Sequence, residues 1–172
     1  MRAEFRTRGW PEFQIGVGLN TGLMNVGDMG SQFRKAYTVL GDAVNLASRL
    51  EALTKLYGVP ILVGDATRRA APEFIYREID RVRVKGRAQT LTIYEPLGST
   101  LEDAGRARLA HWHEALALYR AREFAQAARM FSAFAAEEPG ERLYTLFKER
   151  CEAYVEAILP ADWDGAASYG SK

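Results

Sequence analysis

The sequence predicts an α+β fold followed by an all-α segment. Up to about residue 98 of the 172-residue chain, glycines and β-branched residues dominate, and short apolar runs alternate with period two, as in strands. Beyond that point Ala, Leu and Arg recur at helical spacing almost to the end. The turn-forming stretch 95–100 separates the two textures, so the expected domains are 1–98 and 99–172.

The composition is that of a globular chain without a strongly charged partner. Hydrophobic residues make up 48% and charged residues 26% of the chain, and the net charge is +1. This balance gives no electrostatic reason to expect nucleic acid or an anionic membrane as partner. The single cysteine, Cys151, excludes an internal disulfide and a multi-thiolate metal site. With no apolar run near the ~20 residues that cross a bilayer, a cytoplasmic chain is expected.

Short strands and one long helix are expected in the first part. Gly16 and Gly18 lie inside the first strand, which indicates that another backbone or a ligand approaches closely there. The helix carries an apolar stripe that includes Val44 and Ala47, with Asp42 as its N-cap and Gly58 as its stop. In chain order the expected elements are strands over 13–20 and 23–26, a loop over 27–31, an extended run over 36–40, the helix over 43–57, a strand over 60–63, a short helix over 65–71, and strands over 74–85 and 90–94.

Two groups of polar residues are candidates for chemistry. Asn45 and Arg49 are i and i+4 on one face of the helix, away from the apolar stripe. Thr38 lies in the segment that leads into the helix from the same side. An amide and a guanidinium on one face can hold a ribose and a phosphoryl group, although a solvated helix face has the same pattern. Lys85 and Arg87 flank a glycine at a strand end, which fits a phosphate-binding lysine or a charged hairpin tip.

The run Tyr37–Glu51, YTVLGDAVNLASRLE, resembles the signature of class III nucleotide cyclases. The flanking runs Ile15–Gly22, Val26–Ser31 and Val84–Gly86 are similar to that family in order and spacing. The resemblance covers residues 1 to 97 and implies a ferredoxin-like sheet. It also implies a head-to-tail dimer, with each of two active sites built from both subunits.

The resemblance implies a role for each candidate residue. Asn45 matches the asparagine that orients the ribose, and Arg49 the arginine that stabilises charge on the α-phosphate during ring closure. Lys85 matches the lysine that holds the terminal phosphates, with Arg87 assisting. Thr38 lies at the position that reads the purine edge, and its hydroxyl favours ATP over GTP. The product implied is cyclic AMP.

The strands that carry the family's two metal aspartates have no counterpart before Phe13. Asp28 reads as a turn residue and Asp42 as a helix cap, so no metal ligand is recognised, although the complete enzyme uses Mg²⁺ or Mn²⁺. The sheet is therefore expected to be incomplete, with an exposed edge and apolar surface, and the chain alone inactive. A strand-exchanged or tight oligomer, or further N-terminal residues of a longer cyclase, would complete it.

The second part is expected to contain a helix pair over 104–138 and a third helix over 142–159. Trp112, Tyr119, Ala128 and Ala135 fall close to tetratricopeptide spacing, which fits a partner-binding groove, but a helical cap on the sheet fits equally. The ending 159–165 is similar to that of bacterial cyclases with membrane helices upstream, which implies a membrane-anchored parent protein with this part on the cytoplasmic side.

Three functions remain open at this point. The first is the C-terminal half of an adenylate cyclase catalytic domain. The second is a non-catalytic nucleotide-binding or dimerisation module that regulates a complete cyclase. The third is a helical-repeat interaction protein that works through the tail.

Overall fold

A computed structural model describes residues 7–8, 15–31, 34–84 and 90–169. Within this part the chain is α+β, as predicted, and the helical residues concentrate after residue 100. In chain order the elements are β1 (Val17–Leu19), β2 (Asn25–Ser31), β3 (Arg34–Leu40), α1 (Asp42–Tyr57), β4 (Ile61–Gly64), α2 (Asp65–Ala70), β5 (Ile75–Val84), β6 (Leu91–Gly98), α3 (Asp103–Arg120), α4 (Phe124–Glu137), α5 (Arg142–Val155) and β7 (Ala167–Tyr169).

Five of the strands form one sheet in the order β1-β4-β6-β5-β7, and β2 and β3 form a separate hairpin. β1 is parallel to β4, β6 is antiparallel to both β4 and β5, and β7 is parallel to β5. β1, β4 and β5 therefore run in the same direction. Their carboxyl ends lie at one edge of the sheet, called the carboxyl edge below.

Helix α1 packs against β1 in the opposite direction, so its first turn lies at the carboxyl edge. The side-chain amide of Asn20, just after β1, donates a 3.2 Å hydrogen bond to the carbonyl oxygen of Ala43. A Cβ atom added to Gly18 would overlap the backbone of α1 at Ala47 and Glu51. The predicted close approach to this strand is confirmed, and the approaching group is the backbone of α1.

The two ends of α1 depend on glycines. The N-cap is Gly41 and not Asp42, so the predicted cap was wrong. Asp42 is the first residue of the helix, and no side-chain hydrogen bond caps this end. The carboxylate of Asp42 still lies in the first turn, where the helix dipole favours a negative charge. Gly58 ends the helix as predicted, with φ of 71° in the left-handed region.

The buried stripe of α1 differs in part from the predicted one. Val44 and Ala47, expected in the stripe, are half-buried. The stripe instead begins one position earlier, at Ala43 and Leu46, because the helix rests on both β1 and β4. The buried residues of the helix are Ala43, Leu46, Leu50, Leu53, Thr54 and Tyr57.

Three predicted boundaries were wrong. The segment 27–31 is not a loop, because its glycines pair in β2 with residues of β3, Gly27 opposite Thr38. β6 continues through Pro96 to Gly98, and it does so where the register with β5 is irregular, a place that tolerates proline. The third helix of the tail ends at Val155 instead of residue 159.

The helices of the tail pack on the sheet and share one hydrophobic core with it. Trp112 of α3 is 1% exposed, and its ring centroid lies 5.3 Å from that of Phe131 and 5.4 Å from that of Phe147. The indole N–H of Trp112 donates a 2.6 Å hydrogen bond to the carbonyl oxygen of Glu78 in β5. None of the described helices is long and apolar enough to span a bilayer.

Apolar side chains are exposed around the first three strands. Of the twelve exposed large hydrophobic residues in the described part, nine lie between residues 15 and 40, among them Leu23 at 97% and Tyr37 at 75%. Among the described strands, β1 pairs only with β4, so its other edge has no neighbouring strand there. The predicted exposed edge and apolar surface are confirmed, and both favour association with another chain.

Cys151 offers a test of this packing. The cysteine lies in the core, and burial raises the pKa of its thiol from 9.0 to about 12. Because the thiolate is the reactive form, we expect a thiol reagent at pH 8 to label the folded chain roughly a thousandfold more slowly than the urea-unfolded chain. Stopped-flow labelling measures both rates, and fast labelling of the folded chain would contradict the packing.

Candidate active site

The exposed face of α1 presents the two central candidates together. Asn45 and Arg49 lie one turn apart on the first half of the helix, and both side chains are exposed. Neither side chain forms a hydrogen bond or ion pair within the described residues. An amide and a guanidinium are therefore free to bind an incoming ligand beside the carboxyl edge.

Thr38 lies on the element directly before α1. It is half-buried in β3, opposite Gly27 of β2. β3 ends at Leu40, and Gly41 then turns the chain into α1 with φ of 151°, a backbone conformation that glycine adopts without strain. The hairpin and the helix that carry Thr38 and Asn45 are thus joined by a single residue.

The predicted phosphate-binding residues Lys85 and Arg87 lie outside the described residues. β5 ends at Val84, immediately before Lys85 in the sequence. Because β5 runs parallel to β1 and β4, this strand ends at the carboxyl edge, where α1 begins.

Two acidic residues lie on the hairpin and the helix that carry Thr38 and Asn45. Asp28 on β2 and Asp42 at the start of α1 are both exposed. The described residues contain no group of three or more His, Cys, Asp or Glu that could hold a metal ion. The described residues here therefore do not fit a metal centre.

A cluster of polar residues that no pattern in the sequence indicated lies at the far end of α1. The hydroxyl of Tyr57 donates a 2.6 Å hydrogen bond to Oδ2 of Asp80 in β5, and Nη1 of Arg150 in α5 donates to the same oxygen at 2.6 Å. Tyr169 of β7 places its hydroxyl 3.0 Å from that of Tyr57 and accepts a hydrogen bond from Arg150. These four residues are called the α1 clamp below.

Burial shifts the pKa values of the residues in the α1 clamp. Burial raises the pKa of the Asp80 carboxyl, an effect that the Arg150 cation opposes. Burial alone would lower the pKa of Arg150, but Asp80 and the neighbouring tyrosines raise it above its ordinary value. Burial also raises the pKa of the Tyr57 hydroxyl, which keeps it protonated as a donor.

Comparison with known proteins identifies the family. The sequence model of the adenylate and guanylate cyclase catalytic domain matches residues 2–95. The terminal-differentiation specific adenylate cyclase of Dictyostelium discoideum is 34% identical over 152 residues, 84% of this chain and 7% of that protein. The adenylate cyclase of Anabaena cylindrica is 44% identical over 91 residues, 51% of this chain and 18% of that protein. The crystal structure of adenylyl cyclase CyaB from P. aeruginosa superimposes with a TM-score of 0.50 at 32% identity, covering 58% of this chain and 50% of that chain.

The chain thus spans less than a fifth of these two curated relatives and half of the solved structure. The alignment with the Dictyostelium protein is longer than the family match, so it extends into the helical tail. Residues 2–95 are more than half of the 172 residues. This chain therefore belongs to the adenylate and guanylate cyclase catalytic domain family.

Proposed function

We propose that this chain supplies part of the active site of a nucleotide cyclase that converts ATP to cyclic AMP and pyrophosphate. The observation that carries the proposal is the pair Asn45 and Arg49, which the resemblance places at the family's signature positions and whose side chains have no partner among the described residues. A regulator without catalysis would have little reason to keep both side chains free.

The two residues would act on the ring-closing step. The 3′-oxygen of the ribose attacks the α-phosphorus while its proton passes to solvent, the new oxygen–phosphorus bond forms, and the bond to pyrophosphate breaks. Negative charge shifts onto oxygens around the α-phosphorus, where the guanidinium of Arg49 donates hydrogen bonds. Asn45 holds the ribose so that the hydroxyl points at phosphorus. Positioning and charge stabilisation are most of what phosphoryl transfer requires from a protein.

Three further residues would define the substrate. Thr38, half-buried next to α1, would accept a hydrogen bond from the adenine amino group, which favours ATP. Lys85, with Arg87, would hold the terminal phosphates, and the end of β5 at the carboxyl edge supports that role. The preference of the Thr38 hydroxyl for adenine and the phosphate-binding role of Lys85 and Arg87 rest on the resemblance of the surrounding sequence.

A second chain would complete the site. The free edge of β1 and the exposed apolar side chains around β1 to β3 favour a homodimer or a higher oligomer, with strand exchange as one way to cover the edge. Mg²⁺ or Mn²⁺ would be bound in the complete enzyme, and this chain alone would be inactive. Membrane anchoring of a longer parent protein belongs to the same proposal.

The tail would cover the sheet more than it would bind partners. The apolar residues of α3 to α5 lie in the common core, which supports the covering role over a tetratricopeptide-like groove. Residues 1–98 would then carry the cyclase chemistry and residues 99–172 would stabilise it.

A mixed-chain assay tests the proposal. The full chain is incubated with Mn²⁺ and either ATP or GTP, first alone and then with a helper, a class III cyclase whose counterpart of Arg49 has been replaced and whose metal aspartates are intact. We expect no product from the chain alone, cyclic AMP from the mixture, and less cyclic GMP than cyclic AMP. If the mixture makes no cyclic AMP although circular dichroism shows that this chain is folded, the proposal is contradicted.

A further inference from the structure

The α1 clamp connects the helix that bears Asn45 and Arg49 to the tail. Tyr57 is the last residue of α1 and is completely buried, and its hydroxyl is hydrogen-bonded to Asp80 of β5 and Tyr169 of β7. Both of these partners are in turn hydrogen-bonded to Arg150 of α5. Asp80 uses both carboxylate oxygens, since Oδ1 accepts a 2.7 Å hydrogen bond from the backbone N–H of Arg81. The end of α1 is therefore held by directional bonds as well as by packing.

A second contact fixes the same end of the helix to α5. A Cβ atom added to Gly58, the residue that ends α1, would lie 2.7 Å from Cβ of Arg142, the first residue of α5. Two turns later on α5, Arg150 reaches Asp80. Helix α5 is thus linked to the end of α1 directly at Gly58 and indirectly, through Asp80, at Tyr57, so a shift of α5 is expected to displace α1.

A displacement of this end of α1 would also move the candidate active-site residues on the same helix. Arg49 lies eight residues before Tyr57, which is about 12 Å along the axis at 1.5 Å per residue. A tilt of about 5° around Tyr57 would move Arg49 by about 1 Å. A misplacement of that size can cost on the order of a hundredfold in rate.

Net stability is a weak explanation for this ion pair. The side chains of Asp80 and Arg150 are 1% and 13% exposed, so both charges have lost most of their water. Apolar side chains of similar volume are often at least as stabilising as a buried ion pair. Directional hydrogen bonds that fix one helix relative to another are what the pair adds.

We infer that Asp80 and Arg150 are positioning residues that act through Tyr57 to fix α1, and with it Asn45 and Arg49, relative to the helical tail. The inference rests on the proposed function for its effect on catalysis. The fixation of α1 itself does not depend on that function, and the two can be measured separately.

The deciding variant removes both charges of the α1 clamp at once. Arg150→Met alone would leave Asp80 buried without its cation and would lower stability for that reason. The double variant Asp80→Asn with Arg150→Met leaves no unpaired charge. If the pair is only structural, the double variant regains both the stability and the activity that Arg150→Met loses. If the pair positions α1, the double variant regains the stability but not the activity.

The chain offers a matched control. Arg77 and Glu95 form another buried ion pair, 15% and 9% exposed, which joins β5 to β6. Arg77 also contacts Tyr144 of the tail, and neither residue of the pair belongs to α1. The double variant Arg77→Met with Glu95→Gln removes a comparable pair away from the end of α1.

Each full-length variant is compared with the wild-type chain at a temperature where circular dichroism shows it folded. In the clamp double variant we expect amide hydrogen exchange in residues 50–57 to rise at least tenfold. In the mixed-chain assay we expect kcat to fall at least tenfold, with KM for ATP changed less than threefold. The control pair should change the exchange rates of α1 and kcat less than twofold. Equal effects of both pairs, or no effect of the clamp pair, would overturn the inference.

Tyr57→Phe replaces the clamp double variant if that variant does not fold. It removes only the hydroxyl that joins α1 to Asp80. We expect it to raise amide hydrogen exchange at the end of α1 and to lower kcat severalfold. Unchanged values for this variant would overturn the inference. If the wild-type chain makes no cyclic AMP in the mixture, the proposed function has failed, and the exchange rates of α1 alone decide whether the clamp fixes the helix.

Discussion

Replacing Arg49 by alanine is expected to lower the rate of cyclic AMP formation in the mixed-chain assay by about a hundredfold or more. The guanidinium is the donor assigned to the charge that develops around the α-phosphorus, and loss of one such donor typically costs 10²–10³ in rate. Stability should change by less than about 0.5 kcal/mol, because Arg49 is exposed and has no partner in the described part of the chain. Initial rates and urea unfolding curves measure the two quantities.

The matched control for this variant is Arg129→Ala. Arg129 is an exposed arginine on α4, in the tail, and its removal changes the net charge by the same amount. The rate with Arg129→Ala should stay within twofold of the wild-type rate. A loss of less than tenfold for Arg49→Ala, or the same loss for both variants, would show that Arg49 does not act on the reaction.

Replacing Gly18 by alanine is expected to lower the free energy of unfolding by about 3 kcal/mol, the upper part of the range for overpacking. The added methyl group would overlap the carbonyl oxygen of Ala47 and the amide nitrogen of Glu51. Both are backbone atoms of α1 and cannot rotate away, so β1 and the helix must separate. The change is measured from urea unfolding followed by circular dichroism.

Gly27→Ala is the control for this substitution. Gly27 lies in β2, and a Cβ atom added there meets nothing within 4 Å. The free energy of unfolding should change by less than about 0.5 kcal/mol. If Gly18→Ala proves as mild as Gly27→Ala, α1 does not pack on β1 as closely as described.

The helix α1 and the strands on either side of it could be predicted from the sequence because local signals agree there. An apolar stripe, a glycine stop and a signature run all indicate the same element in residues 37–58. Gly16 and Gly18 likewise predicted a close approach, and the structure identifies α1 as the neighbour of both. The free polar face with Asn45 and Arg49 follows from the same pattern.

The α1 clamp could not be predicted, and a β-bulge is the physical reason. The register between β5 and β6 shifts between Glu78 and Asp80, which breaks the alternation of buried and exposed positions. As a result Ile79 and Asp80, neighbours in the chain, are both buried. A charged residue in an alternating strand reads as exposed unless the bulge is known.

The strand β7 was missed for a different reason. It has only three residues, Ala167–Tyr169, and exists because these pair with Val82–Val84 of β5, more than eighty positions earlier. Pairing over that separation leaves no local pattern in the sequence. The tail was therefore expected to be all-helical, although it also contributes a strand to the sheet.

In the proposed function, this chain gives Asn45 and Arg49 to a site that another chain completes. The most direct test is the rate of cyclic AMP formation as the ratio of this chain to the helper is varied at constant total protein. We expect no product from this chain without the helper, and a maximum rate when the two chains are present in nearly equal amounts. A rate that rises in proportion to this chain and persists without the helper would contradict the proposed function.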